Sequence, residues 1–327
     1  MMKNGVLVIS LDFELHWGVF DKVELENNIN YFENTRKVIP KMLDIFEKSK
    51  TRVTWATVGM LFLKNVNEWK LEIPLKKPSY INTKLSAYSW MDDNEHKLLS
   101  DNSHFAPDLI SQVYATEGQE LSSHTFSHYY CLEEGQNLEE FENDLKAFRK
   151  QLLNKSEESY SLVFPRNQYN KRYLEICNKY NIKIVRINPK SWFWNELTKE
   201  TLAKKVFRTL DCYVPILRTI YSINDVVKDE KSKIVLLPAS RFLKPVSKFE
   251  VLNKLRLRRV KNEMTKAAKE NKIYHLWWHP HNYGNYPEKS IKDLKSIINH
   301  YIFLSKKYKM ESLNMIDIYD KFFNNEK

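Results

Sequence analysis

Two histidines four residues apart, His124 and His128, sit in the run Leu121-Ser122-Ser123-His124-Thr125-Phe126-Ser127-His128. On a single helical turn that spacing presents both imidazoles to one metal ion. Thr125 stands where a His-Glu-x-x-His zinc hydrolase carries its general base, so a base must come from elsewhere in the chain. Val6-Leu7-Val8-Ile9-Ser10-Leu11 reads as a buried parallel strand and runs into Asp12-Phe13-Glu14. Side chains two apart on a strand leave on the same face, so both carboxylates emerge together at its C-terminal end. One can complete a His-His-carboxylate metal site while the other stays free as a base, and the chemistry such a set serves is metal-assisted hydrolysis. A His-x-x-x-His pair alone is commonly two ordinary histidines, and an acid at a strand end is commonly a helix cap. A third cluster, Tyr274-His275-Leu276-Trp277-Trp278-His279-Pro280-His281-Asn282, tips the reading toward a pocket: with His124 and His128 it holds five of the 9 histidines.

Two further segments, Phe164-Pro165-Arg166-Asn167-Gln168-Tyr169 and Asn188-Pro189-Lys190-Ser191-Trp192, fall between these clusters. In content and order, the five segments resemble the signatures of the polysaccharide deacetylases of the NodB-homology type, carbohydrate esterase family 4. The resemblance spans nearly the whole chain and implies a distorted (β/α)7-type barrel. It implies a divalent metal ion, Zn2+ in the first instance, on a His-His-carboxylate set. It also implies that Arg166 holds the base ionised, that His279 protonates the leaving amine, and that backbone near Tyr169 faces the oxyanion. Trp192, Trp17 and Tyr283 become candidates to stack on a sugar ring. The chain departs from the family pattern in three places. Its acidic motif is Asp-x-Glu rather than adjacent aspartates, which strand alternation tolerates but which leaves open which carboxylate binds metal. The longer side chain assigns Glu14 as ligand with His124 and His128, and Asp12 as base. Pro165 precedes Arg166 instead of following it, and His281 has no strict counterpart and is assigned to substrate.

Strand and helix signals alternate around these motifs. Tyr31 to Glu47 has helical periodicity, with Val38, Met42, Ile45 and Phe46 on one face. Arg52 to Val58 reads as a strand, Pro107 to Tyr114 as a helix opened by proline, and Leu138 to Leu153 as a helix. Ser161 to Phe164, Ile182 to Val185, Ile234 to Leu237 and Ile273 to Trp278 read as strands, and Lys171 to Tyr180 as a helix. Residues 62–105 break the pattern and read as an inserted loop region over one rim. Repeated strand–helix units imply a parallel sheet closed or nearly closed into a barrel. Each motif falls at the C-terminal end of a strand, where such barrels place their active sites.

Composition sets the outer limits. The 327 residues allow one large domain or two ordinary ones, and no Gly/Ser/Pro-rich linker or internal repeat divides them. The expectation is a single catalytic domain over residues 1–327. Only 6 glycines argue against a turn-dense all-β fold. Three unpatterned cysteines, Cys131, Cys177 and Cys212, suit a reducing compartment, and the first apolar run is too short for a secretory segment. The location expected is cytoplasmic, at most peripheral to the inner face of a membrane.

The net charge is +11, and residues 241–272 carry 11 Lys/Arg against 3 Glu. Leu252, Leu255, Val260, Met264 and Ala267 recur there at roughly helical spacing among Arg256, Arg258, Arg259 and Lys261. Such a helix either meets an anionic membrane surface weakly or is the solvated face of an outer barrel helix. No nucleic-acid reader motif is present. Together these features point to a metal-dependent hydrolase that removes an N-acyl group, acetyl first, from an amino sugar in cell-surface polysaccharide biosynthesis. The sugar is nucleotide-linked, lipid-linked or part of an oligosaccharide. The alternatives are deformylation of a formamido sugar, hydrolysis of a non-sugar amide, and an inactive barrel that binds glycans or partners.

Overall fold

The computed structural model describes residues 2–95, 102–153, 160–189, 191–194, 201–217 and 219–324; Lys190 of the fourth motif lies outside them. The chain runs β1 (Val6–Phe13), α1 (Ile29–Ser49), β2 (Val53–Thr57), α2 (Val66–Glu72), α3 (Ala87–Asn94), α4 (Pro107–Ala115), β3 (Gln119–Ser123) and α5 (Leu138–Leu153). It continues β4 (Tyr160–Val163), α6 (Leu174–Lys179), β5 (Ile182–Ile187), α7 (Leu202–Asp211), β6 (Val227–Lys228), β7 (Val235–Pro238) and β8 (Arg241–Phe242). It ends α8 (Glu250–Glu270), β9 (Ile273–Trp278), α9 (Pro287–Tyr308), β10 (Glu311–Leu313) and α10 (Met315–Phe322). Residues 62–105, expected as loop, carry α2 and α3, whose Trp69, Tyr88 and Met91 are buried.

The sheet order is β6-β7-β5-β4-β3-β2-β1-β9-β8, with β10 added to β1, and every pairing except β6 with β7 is parallel. The two edges meet through one stretch of chain. β7 pairs with β5, then Ala239 N–H donates to the Ile187 carbonyl while Ser240 N–H donates to that of His275, and β8 pairs with β9. Residues 235–242 therefore serve both edges and curl the sheet into a barrel with seven parallel stations, the distorted form implied by the sequence. All eight residues of β1 are buried, as expected for a strand with neighbours on both sides and layers on both faces. Leu7, Ile9, Leu11 and Phe13 face the helices. On the other face, Val6 and Val8 meet Val163, Ile184 and Val235, and Met315 and Ile318 of α10 plug this interior from below. Ser10, Asp12 and Glu14 continue that interior face upward to the barrel mouth.

Of the two readings open for the basic helix, its packing is that of an outer barrel helix. In α8, Val260, Met264 and Ala267 of the apolar stripe are buried against the barrel. Arg256 is buried, bound to Asp293 and the Lys244 carbonyl. Arg259 pairs with Glu263 at 2.9 Å and Asp211 at 3.6 Å, and Lys261 donates to Ser296 at 2.7 Å. Leu255 of the stripe is exposed, so the core-facing side of this outer helix begins at Val260, and three of the four cations around the stripe are held by this chain. Among the described residues, no helix is long and apolar enough to cross a membrane.

Candidate active site

Glu14 lies one residue beyond β1, and its Oε2 is 3.0 Å from His128 Nε2 and 3.2 Å from His124 Nε2. All three side chains are buried, and their ligand atoms lie within 4.8 Å of one another. Glu14 fits only because residue 18 is glycine: a Cβ there would stand 2.0 Å from the Glu14 carboxyl carbon. Gly18 does not adopt the left-handed conformation, so Gly18→Ala is a steric change at the carboxylate rather than a backbone strain. It is expected to weaken Zn2+ binding by roughly 10- to 100-fold, the usual effect of disturbing a ligand's support. Competition against a chromophoric chelator reads this, and an unchanged affinity would remove Glu14 from the ligand set.

The two histidines are not on a helical turn. Residues 124–128 form an irregular loop after β3, with Thr125 at φ 62° and His128 at φ 58°. Asp144 on α5 holds it, accepting backbone N–H bonds from Phe126 (2.7 Å) and Ser127 (3.0 Å) and one from the Ser127 hydroxyl. Thr125 Oγ1 accepts from Tyr129 N–H at 2.7 Å. These acceptors satisfy donors that a helix would have used internally, so the imidazoles converge with ring centroids 5.1 Å apart. Leu15, Arg166 and Asn167 also have φ near +50°. Each such non-glycine residue costs about 1–3 kcal/mol, and five of them cluster in the loops around this site.

Hydrogen bonding sets the tautomers. His124 Nδ1–H donates to the Val163 carbonyl at 2.8 Å, which turns its buried Nε2 toward Glu14. His128 Nδ1 faces the Tyr130 hydroxyl at 3.0 Å, again turning Nε2 toward Glu14. Burial depresses the His128 pKa to about 4 against the pull of Glu14, so the imidazole is neutral. For Glu14, burial opposes ionisation, but His279, His124 and His128 hold the carboxyl well below the usual glutamate range. Two imidazole Nε2 atoms and an ionised carboxylate converge as a donor set that suits an open zinc-type site. Cys131 takes no part: its thiol is buried and donates to the Gln168 carbonyl.

Asp12 is clamped separately. Arg186, near the C-terminal end of β5, binds both its oxygens at 2.7 Å each and also reaches Ser10 Oγ (3.0 Å) and Asn167 Oδ1 (2.8 Å). Burial pushes the Asp12 pKa up, but the charge and hydrogen bonds of Arg186 outweigh it and keep the carboxyl below its ordinary value. The residue expected in this role, Arg166, does not reach Asp12. Its left-handed backbone turns the guanidinium over the Tyr130 ring (4.4 Å) and onto Asp21. Arg186 was signalled by alternation: it shares the interior face of β5 with the apolar Ile184, where an unpaired cation would not be tolerated. The strand expected from sequence ends at Val185, two residues short of Ile187, and so leaves Arg186 out.

His279 follows β9 and is the most open member, with Nε2 3.7 Å from Asp12 Oδ2 and 3.6 Å from Glu14 Oε1. His281 is closer to the carboxylates than a substrate role required: it stacks on His279 and places Nδ1 3.7 Å from Glu14 Oε1, with no hydrogen-bond partner for that nitrogen. The other substrate candidates are placed differently. Trp17 is buried, donating to the His104 carbonyl at 2.8 Å, and Tyr283 is buried against Trp278, so neither ring is free to stack on sugar. Tyr169 N–H donates to the Asn167 carbonyl at 2.9 Å, and the N–H groups of Asn167 and Gln168 are likewise spent inside the turn, so none of these three faces an oxyanion. Trp192 is exposed and lies edge-on to Phe193 and Phe207.

Buried neutral histidines make acid stability a direct readout of this packing. Burial lowers His128 to about 4 and both His275 and His281 to about 3, from an ordinary 6.5. Their stabilising contribution is complete above pH 6.5 and is lost as pH falls toward those values, because the unfolded chain takes up three protons that the folded one refuses. Asp144, raised to about 6 by burial, offsets one of them. Metal-free protein should therefore lose stability as pH falls from about 6 toward 4, because the unfolded chain takes up histidine protons that the folded one refuses. Melting curves across pH measure this, and a flat profile would refute the neutral buried imidazoles.

The polar cluster thus stands at the C-terminal ends of β1, β3, β5 and β9, the catalytic end of a parallel barrel. The family model for polysaccharide deacetylase matches residues 20–185, just over half of the chain, which belongs to that family. The match includes His124, His128 and Arg186's neighbouring strand residues, whereas Asp12, Glu14 and His279 lie outside it. No curated protein matches the sequence. Among solved structures, the chain is similar to a protein from Mycobacterium smegmatis assigned as a polysaccharide deacetylase (TM-score 0.61, 11% identity, covering 98% of this chain and 91% of that one). It is also similar to the Puue allantoinase (TM-score 0.56, 9% identity, 98% and 91%) and to a 4-alpha-glucanotransferase from Thermococcus litoralis (TM-score 0.58, 10% identity, 98% and 41%). At these identities the likeness is one of fold alone, and a shared fold does not choose a reaction.

Proposed function

We propose that the protein hydrolyses an N-acyl group, acetyl in the first instance, from an amino sugar used in cell-surface polysaccharide assembly. The reading takes one divalent ion, Zn2+, on Glu14, His124 and His128. The observation that carries it is the division of labour between two carboxylates two residues apart: Glu14 faces two imidazole Nε2 atoms, whereas Asp12 is held by Arg186. When bound, the ion supplies carbonyl polarisation and a more acidic water. Asp12, kept ionised by Arg186, accepts the proton of the attacking water. His279, near both carboxylates and open to the mouth, donates a proton to the nitrogen of the departing amine, which is otherwise too basic to leave. Burial of Asp12, Glu14 and both ligand histidines keeps bulk water from screening these charges.

The deciding experiment is a released-acid assay on Zn2+-loaded protein, with acetate and formate measured separately. Its panel comprises N-acetyl and N-formyl sugar nucleotides, lipid-linked sugars and oligosaccharides. Acetate release from an amino sugar is the expected result. Formate alone would move the reading to deformylation, and no acid from any substrate would sink it.

A further inference from the structure

The helix α7 is inside out. Leu202, Val206 and Leu210 fall at i, i+4 and i+8, and in most surface helices such a stripe faces the core. Here it faces solvent, with Leu202 78% and Leu210 45% exposed. The only buried residue of the helix is an acid, Asp211, which pairs with Arg241 and accepts the Leu217 N–H at 3.1 Å. Arg208, also on the inner side, donates to the Phe193 carbonyl at 3.1 Å and lies over the Trp194 ring. Beyond the helix the apolar surface continues through Val214 (52% exposed) and Ile216, and Trp192 (53%) stands beside it against Phe207. Contiguous apolar surface of this kind marks a contact with something apolar.

Its position relates that contact to the site. The turn Trp192–Trp194 follows β5 at the barrel mouth, Trp194 lies 6.3 Å from Trp277, and Trp277 lies 5.6 Å from His279. Lys205 is exposed on the flank of the stripe, residues 201–217 carry Lys204, Lys205 and Arg208 against the single acid Asp211, and the whole chain carries a net charge of +11. A second copy of this chain would bring like charges together at this face, whereas an anionic bilayer would attract them. An apolar stripe with lysines on its flank and an exposed tryptophan at its edge has the composition of a helix lying in a lipid interface.

We propose that α7 and residues 214–216 seat the barrel mouth on an anionic lipid bilayer, so that the site receives an amino sugar carried on a membrane-held lipid. The choice of sugar rests on the function proposed above; the docking does not. The test is co-sedimentation of the full chain with vesicles of phosphatidylcholine and phosphatidylglycerol, against phosphatidylcholine alone. The comparison variant is Leu202→Ser/Val206→Ser/Leu210→Ser, whose three positions are already exposed. The wild type should pellet with the anionic vesicles at low salt and less so as salt rises. The triple variant should bind on the order of tenfold more weakly or worse, with an unchanged melting temperature and unchanged acid release from a soluble N-acetyl sugar. Equal pelleting of wild type and variant, or no pelleting with anionic vesicles at low salt, would overturn the docking. So would a dimer in sedimentation velocity that the triple substitution disperses, since a second copy would then cover the face. Loss of the deacetylase reading appears separately, as vesicle binding without acid release from any substrate.

Discussion

Asp12→Asn is expected to abolish turnover while the protein still binds Zn2+, and Glu14→Gln to lose Zn2+ and turnover together. Both substitutions preserve shape and remove a charge, so the contrast isolates what each carboxylate does. Asp12 has both oxygens engaged by Arg186, at 2.7 Å each, and touches no ligand histidine. Its amide counterpart cannot accept a proton, and loss of a general base lowers rates by roughly 10²- to 10⁴-fold. Glu14 Oε2 sits between His124 Nε2 and His128 Nε2, and an uncharged amide there leaves a divalent ion with two neutral imidazoles only. Zinc titration by calorimetry and acid release on the same preparations separate the roles. Full zinc affinity in Glu14→Gln with loss in Asp12→Asn would exchange them and leave the reaction class standing.

Arg186→Met should be among the most damaging substitutions in the molecule. The guanidinium is fully buried, bidentate to Asp12, bonded to Ser10 and Asn167, and 4.3 Å from the Trp277 ring centroid. Its removal leaves the Asp12 carboxylate buried without its counter-charge, and breaking such a pair typically costs about 3–5 kcal/mol. With the counter-charge gone, burial raises the Asp12 pKa, and the base is lost as its carboxyl becomes protonated near neutral pH. Chemical denaturation should record the stability loss, and turnover should fall by a factor comparable to Asp12→Asn. Adding Asp12→Asn to Arg186→Met should restore part of the stability without restoring activity, because no charge is then stranded. Arg166→Gln is the control: its partners are Asp21 and Tyr130, so it should retain most of the activity that Arg186→Met loses. The opposite ranking of the two arginines would reinstate Arg166 as the residue that holds the base.

The exchange of one arginine for the other shows where sequence reasoning stops. Strand periodicity is local, and it located β9 at Ile273–Trp278 and put Asp12 and Glu14 on one interior face. Whether an arginine reaches Asp12 depends on which strand lies across the barrel and on a left-handed turn at Arg166, and neither is written in nearby residues. The His-x-x-x-His spacing found the right imidazoles for the wrong local reason. They converge from a loop held by Asp144, a residue sixteen positions beyond His128 that no motif includes. The same limit applies to the helices. Both α7 and α8 carry apolar stripes among basic residues, yet α8 turns Val260, Met264 and Ala267 inward whereas α7 turns Leu202, Val206 and Leu210 outward. A periodic pattern states that a helix has two faces; only the packing around Asp211, Arg241 and Glu263 decides which face is covered.

The sequence by itself determined the chemical inventory and its order: two carboxylates at the end of a first strand, two imidazoles after a third, and a histidine after a late one. It also determined the alternation of strands and helices that makes a parallel barrel, because both depend on residue types and on periods of two and 3.6. The tertiary structure alone decided which inward residues touch. The closure of the barrel through residues 235–242 brings β5 and β9 to opposite sides of β1's interior face, and with them Arg186 and His279 to Asp12. Contacts of this kind link positions more than 170 residues apart, as Arg186 and Asp12 are. They arise because a buried charge must find its partner wherever the fold places one.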